Sequence, residues 1–453
     1  MTGHVIVVDL GYGDAGKGGI VDWLCSPAAG SRVAGSRGAS SGVHAVVRFN
    51  GGAQAAHHVL SPGGAAHCFA QFGSGTFTAG VRTFLSRFML VDPLAMTAEA
   101  AHLAALGVPD PFGLVTVDRD ALLTTPYHQA ANRARETARG AGRHGSCGMG
   151  IGETASYALR YGAEAPRAGD CDAPRVLERK LALLRDRLIA DAGVAPRDVP
   201  PPEAVKDAYR AFAERVTLAG PGHLRGLLRT GPVVFEGAQG VLLDEWRGFH
   251  PYTTWSTTTF GNAEALLAEA GQPGDAVRLG VIRCYLTRHG PGPFVTEDEA
   301  LGLPEPHNGD GRWQGRFRTG HMDALALRYA TRVCGGVDAL ALTHLDVARR
   351  YAGELKLCRA YLAGGQRMSR IQPGPYQDLA YQETLTRTLL SARPVYDESE
   401  RIGADDWPEA VAEIVGAPVA VRSYGPSSAA KAGGLSRLTD LTGSRSRELV
   451  GRP

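Results

Sequence analysis

The sequence predicts an α/β fold: a central, mostly parallel sheet flanked by helices, with an inserted helical layer and smaller subdomains. Three observations predict it. A short apolar run, His4–Leu10, ends in glycines and is followed by a helix start at Gly18–Leu24 and a second apolar run, Gly42–Phe49. Strand, glycine loop, helix, strand is the pattern of parallel pairing. Further short apolar runs alternate with helical stretches through the C-terminal third, and residues 172–230 are a helical insertion ahead of it.

The elements follow in order. His4–Leu10 is apolar enough to be buried on both faces. A Gly/Ser-rich loop, Ser26–Ser41, precedes the strand Gly42–Phe49. Val176–Ile189 is an amphipathic helix, since Leu177, Leu181, Leu184 and Leu188 recur at spacings of four, three and four. The Pro-rich stretch Val199–Pro202 separates it from a second helix, Ala204–Val216. Pro232–Phe235 is a strand running into Glu236-Gly237-Ala238-Gln239-Gly240. Val277–Leu286 and Ala339–Leu342 are strands with a helix, Met322–Val333, between them. Pro418–Val421 is a late strand.

Composition narrows the class. The chain has 453 residues, 48 Lys and Arg against 46 Asp and Glu, and a formal net charge of +2. That balance gives no reason to expect nucleic-acid or membrane partners. No apolar run reaches the roughly 18 residues of a membrane span, and the first residues lack the pattern of a signal peptide. Seven cysteines without a CxxC make a disulfide framework or zinc site unexpected, so a cytoplasmic location is expected.

The loop Gly11-Tyr12-Gly13-Asp14-Ala15-Gly16-Lys17-Gly18 fits both G-x-G-x-x-G and G-x-x-x-x-G-K, with Gly18 where the phosphate loop usually has Ser or Thr. Either way, backbone N–H groups at a helix N-terminus receive an anion. A dinucleotide fold needs an acid about 20 residues on. From Trp23 through Val91 there is none. Lys17 suits a triphosphate. Arg32 or Arg37 remains available for an NADP 2′-phosphate, which keeps an oxidoreductase as a rival. Mg²⁺ needs hard oxygen ligands, and in-loop Asp14 is the nearest. The acid-free stretch carries five arginines and four histidines and supplies positive potential. Within it, small residues from Gly51 to Ala56 lead to His57 and His58, where an imidazole is placed to donate to a phosphate.

These residues resemble the adenylosuccinate synthetase family. VVDLGYGDAGKGGIVDWL and VVRFNGGAQAAHHVL are similar to its opening. Ser146–Gly152 resembles TTGRGIGP, and Phe235–Gly240 with Leu243-Asp244 resembles FEGAQG…LLD. Thr287-Arg288, Gly292–Phe294 and Thr296-Glu297 resemble TRVGxGPFPTE. Thr343–Asp346 resembles TKLD, and Ser423–Pro426 resembles the closing guanine loop. The resemblance spans nearly the whole chain. It implies one catalytic unit over residues 1–453, a homodimer, and GTP-driven joining of aspartate to C6 of IMP. It implies that Asp14 is the base, with Lys17, His57 and Gln239 also catalytic, and that Mg²⁺ sits on Asp14 and the Ala56 carbonyl. GTP would be held by Gly13, Gly16, Lys17, Gly18, Arg318, His344, Asp346, Ser423, Gly425 and Pro426. The substrate nucleotide would meet Gln54, Ser146, Cys147, Thr254, Gln239, Arg316 and, across the dimer, Arg160. Arg316 and Gln314 would face the amine donor.

The departures cluster. Gln54 stands for Asn, Cys147 for Thr, Met149 for Arg and His344 for Lys, while Trp313-Gln314 replaces two threonines of the aspartate loop. The phosphoryl-transfer residues are kept and the pockets differ. A GTP-dependent ligase acting on IMP or an analogue is therefore expected, with aspartate as donor or, in a paralogue of specialised metabolism, another donor or nucleotide; a GTP-binding protein that has lost synthesis is the rival.

Overall fold

The computed structural model describes residues 3–27, 42–61 and 63–434. Arg32, Arg37 and nearly all of the Ser26–Ser41 segment lie outside these residues. Ten strands form the main sheet. From edge to edge they are Lys431–Gly433, Val419–Ser423, Ala339–Thr343, Ala276–Arg283, His4–Asp9, Val233–Gly240, Ala45–Arg48, Arg82–Leu85, Val115–Asp118 and Thr217–Ala219. All neighbours are parallel except the first pair.

His4–Asp9 lies in the middle and is buried at every residue. A strand covered on both faces must be apolar throughout, which its Val-Ile-Val-Val run supplies. The chain returns to its two sides from distant segments, so the carboxyl ends of the central strands frame a crevice. Helix Lys17–Cys25 follows the glycine loop directly and packs on this sheet.

Helix Pro174–Ala192 buries Leu177, Leu181, Leu184 and Leu188 as the spacing requires. It packs against helices Pro126–Ala138 and Pro202–Ala213 in a core separate from the main one. Further along the chain, Thr217–Ala219 joins the sheet edge and Leu224 and Leu228 enter the main core.

The helix expected from Met322 starts at Ala324 instead. Met322-Asp323 pairs with Leu357-Cys358 as a short strand. Asp323 then caps the helix, accepting from Leu325 N at 3.1 Å and Ala326 N at 3.0 Å. An Asp ahead of an apolar run is a cap signal, and it sets the helix start here. The strand expected over Val277–Leu286 divides into Ala276–Arg283 in the sheet and Leu286–His289, which forms a hairpin with Phe317–Gly320.

Candidate active site

The glycine loop is shaped by a residue the motif does not contain. Asp9 ends the central strand and is buried. One oxygen accepts from Gly11 N at 2.8 Å and Gly13 N at 3.3 Å. The other accepts from Ala15 N at 2.8 Å and Lys17 Nζ at 3.1 Å. Lys17 also donates to the Gly13 carbonyl at 2.7 Å. Gly16 has φ 89°, a conformation that favours glycine. A Cβ on Gly18 would lie 2.9 Å from His57 Cβ. The missing hydroxyl at Gly18 thus has a steric reason: the backbone makes room for His57.

Asp14 lines the cavity of about 780 Å³ above this loop. Its carboxylate meets His289 Nε2 at 3.2 Å, and its carbonyl accepts from Arg283 at 2.5 Å. Burial alone would raise the carboxyl pKa. His289, Arg283 and Lys17 outweigh that and hold it below the usual range, so Asp14 is ionised at neutral pH. His289 was not legible as a site residue, since it lies 275 positions away and carries no motif of its own.

His57 donates from Nδ1 to Glu236 at 2.6 Å. Glu236 is buried and also accepts from Ser74 N at 2.9 Å and the Ser74 hydroxyl. Burial works against both charges. Arg48 and His57 nonetheless bring Glu236 down to about 2, while burial lowers His57 to about 4. The pair rests as carboxylate and neutral imidazole, with Nε2 buried and unpartnered. Such a nitrogen, backed by a carboxylate, is free to accept a proton or a hydrogen bond from the cavity side.

Buried neutral histidines have a consequence for stability. His57 at about 4 and His128 at about 3 both sit below the unfolded value of 6.5. Below pH 6.5 the unfolded chain binds protons that the folded chain does not. Folding free energy is therefore expected to fall from pH 6.5 toward 4, by roughly 1 kcal/mol per pH unit per such histidine. Urea denaturation across that range tests it; a flat profile contradicts the neutral assignment.

Gln239 follows Ala238 at the end of its strand with φ 60°, an unusual backbone for a side-chain-bearing residue that costs roughly 1–2 kcal/mol. Its Oε1 is buried without a partner, as are both polar atoms of Gln54, and both residues line the cavity. Orphaned buried amides facing one space point to a polar ligand there.

His344, Asp346, Ser423, Gly425 and Pro426 also line the cavity. His344 has φ 60°, accepts or donates at Thr343 Oγ1 (2.8 Å), and stays neutral because burial pushes it down. Lys431, which no motif indicated, donates to the carbonyls of Gly425, Pro426 and Ser427 at 3.0, 3.2 and 2.9 Å. It fastens the loop that carries Ser423 and Pro426.

Gly13, Gly16, Gly18, Ala56, Ser146, Cys147, Thr254 and Gln314 complete the expected wall. Two arginines expected in the same wall, Arg316 and Arg318, do not join it. Arg316 is exposed and paired with Glu299 at 2.5 Å. Arg318 is held by Glu297 at 2.8 Å and the Gly292 carbonyl at 2.9 Å. Arg160 is exposed, 3.4 Å from Asp191 and stacked near Tyr161. Arg316 and Arg318 are each paired with a carboxylate, while Arg160, expected across a dimer, lies at the surface of this chain.

Residues 6–431 match the family model described as adenylosuccinate synthetase. The chain belongs to the adenylosuccinate synthetase family. It is 32% identical to adenylosuccinate synthetase from Neisseria meningitidis serogroup C over 94% of this chain and 96% of the relative. The enzyme of Desulfovibrio desulfuricans is 31% identical over 93% and 97%. The fold matches ligated adenylosuccinate synthetase from Plasmodium falciparum, with TM-score 0.76 and 21% identity over 94% of this chain and 99% of that one. It also matches the cyanophage S-2L succinoaminodeoxyadenylate synthetase, with TM-score 0.57 and 16% identity over 98% and 99%. Like its family, this chain is a GTP-dependent ligase that forms a C–N bond. Among the described residues no helix is long and apolar enough to cross a membrane.

Proposed function

We propose that this ligase activates the 6-oxygen of an IMP-like 6-oxopurine with GTP and replaces it with an amine other than aspartate. One observation carries the reading: Asp14, Lys17, His57 and Gln239 line a single cavity. Asp14, held ionised, takes the N1 proton of the purine. The electron pair moves to the 6-oxygen, which attacks the γ-phosphorus of GTP, and GDP leaves. Lys17 and His57 face the charge on the transferring oxygens. Gln239 offers its free amide oxygen and N–H groups to the purine edge. The amine nitrogen then adds at C6, the phosphate leaves with its electron pair, and the amine gives up a proton.

Asp14 and the Ala56 carbonyl fit Mg²⁺. Both residues line the cavity and offer hard oxygen donors, and no cluster of three or more His, Cys, Asp or Glu suited to a metal occurs among the described residues. Such a cation shares its ligands with phosphates and water. When bound it would neutralise phosphate charge. Asp346, which pairs with Arg350 and lines the cavity with His344, would accept from the guanine edge.

Altered pockets motivate the donor half of the proposal. Arg316, the expected carboxylate ligand, is occupied by Glu299, and Trp313-Gln314 carry no hydroxyl. The cyanophage synthetase is bound to dGMP and to dATP as an energy donor, which supports a family fold with changed nucleotide pockets. A cytoplasmic homodimer belongs to the same proposal on family membership.

A phosphate-release screen tests it, using GTP, Mg²⁺, purine nucleosides and nucleotides, and a panel of amines. Release is expected with a donor other than aspartate. Full turnover of IMP with aspartate sinks the altered-donor half. GTP binding without release under any combination leaves a binding protein and no ligase.

A further inference from the structure

His344 borders the glycine loop at the place where TKLD has its lysine. It directly follows strand Ala339–Thr343 and precedes the short helix Leu345–Arg350. A Cβ on Gly16 would lie 3.8 Å from its Cε1, an ordinary contact between ring edge and loop. The ring packs edge-on to Tyr285, with centroids 5.7 Å apart. It is partly exposed and lines the cavity with Asp346. Its φ of 60° is a conformation that glycine or asparagine adopts with less strain, so a histidine here asks for a use of the ring.

The hydrogen bonds around Thr343 fix which ring nitrogen carries the proton. Thr343 Oγ1 lies 2.7 Å from the Ala15 carbonyl oxygen and 3.4 Å from that of Ile282. A carbonyl only accepts, so the hydroxyl proton is spent on the closer of the two. Oγ1 also lies 2.8 Å from His344 Nδ1, and with its own proton spent it accepts there. Nδ1 therefore carries the ring proton. Burial, with Arg283 and Lys431 nearby, keeps the imidazole neutral, so Nε2 holds a lone pair. With Nδ1 turned in to Thr343, Nε2 is the ring nitrogen left for a ligand.

This reverses the hydrogen-bonding sense of the position. A lysine only donates. Here the one ring N–H is taken and the remaining nitrogen accepts. Phosphate oxygens are acceptors too, and two acceptors do not bond. The group that meets Nε2 therefore comes from the nucleoside part of the nucleotide. Guanosine carries neutral donors in its 2-amino group and its ribose hydroxyls.

We infer that His344 is a specificity-determining residue for the energy donor, its Nε2 accepting a hydrogen bond from a neutral donor on the guanosine of GTP, the 2-amino group or a ribose hydroxyl. The inference rests on reading the guanosine as lying against Asp346. His344 and Asp346 then offer two acceptors, one neutral and one charged, to a nucleoside rich in donors. A nucleotide stripped of the matching donor leaves Nε2 without a partner.

Calorimetry with the full chain and Mg²⁺ tests the inference, using GDP, inosine 5′-diphosphate and 2′,3′-dideoxy-GDP as probes. Inosine diphosphate lacks the 2-amino group, and the dideoxy compound lacks both hydroxyls. His344→Phe keeps a ring and removes the lone pair. It is expected to weaken GDP by about 10-fold, the effect of one lost hydrogen bond, and to leave at least one of the other probes unchanged. Unchanged inosine diphosphate assigns the 2-amino group, and unchanged dideoxy-GDP assigns the sugar. His344→Gln, whose amide oxygen takes the place of Nε2, is expected to recover most of the GDP affinity. Unchanged GDP binding by His344→Phe, with folding checked by thermal melting, overturns the inference. So does equal weakening of all three probes, the mark of a disturbed loop, and so does failure of GDP to bind the unaltered chain. Asp346→Ala checks the placing of guanosine separately. If it leaves GDP unchanged while His344→Phe acts selectively, the inference stands and the Asp346 contact is removed.

Discussion

Asp14→Ala is expected to lower turnover by about 10²-fold or more while the protein stays folded. The magnitude is that of losing a positioned general base. The fold is insulated because Asp9 shapes the loop and Arg283 holds the Asp14 backbone carbonyl, and both contacts survive the substitution. Steady-state phosphate release, with circular dichroism as the control for folding, reads the effect. Near-normal turnover would remove Asp14 from the chemistry. Asp14→Asn sharpens the test, since it keeps the shape and loses the basicity.

Glu236→Gln is expected to lower kcat on the order of 10²-fold with a much smaller change in KM for GTP. The amide still accepts from His57 Nδ1, so the ring keeps its direction. What disappears is the negative charge that lets Nε2 hold a proton against the transferring phosphoryl group. Buried Arg48 also loses a counter-charge. Stability should therefore drop by roughly 3 kcal/mol, measured by urea denaturation at pH 7. An unchanged kcat in a folded variant would show that the His57–Glu236 pair serves the fold alone.

Local signals made the first strand, the glycine loop, its helix and the leucine-faced helix legible, because each is written in a short window. His4–Asp9 needs only a buried apolar run, and Leu177 to Leu188 need only a helical period. Strands Arg82–Leu85, Val115–Asp118 and Thr217–Ala219 escaped, being short and set by their neighbours in the sheet. At the site, sequence blocks carried Asp14, Lys17, His57 and Gln239. The supporting residues are set by tertiary contact. Asp9 sits in an apolar strand and reads as its polar end. Glu236 lies inside a legible block, but its bond to His57 spans 179 positions. His289 and Lys431 reach the cavity from hairpins and strands that no pattern tied to the loop.

The Asp9 carboxylate gives the glycine loop a resident anion. Three loop amides and the Lys17 ammonium are satisfied before any nucleotide arrives. A ligand enters this site as a competitor, drawing Lys17 from Asp9 and from the Gly13 carbonyl. A singly or doubly charged ion offers little advantage over the carboxylate it displaces. A triphosphate reaching Lys17, His57 and the loop together offers much more. Inorganic phosphate is therefore expected to bind this loop weakly, so that selectivity for long phosphate chains starts at a residue that need never touch them.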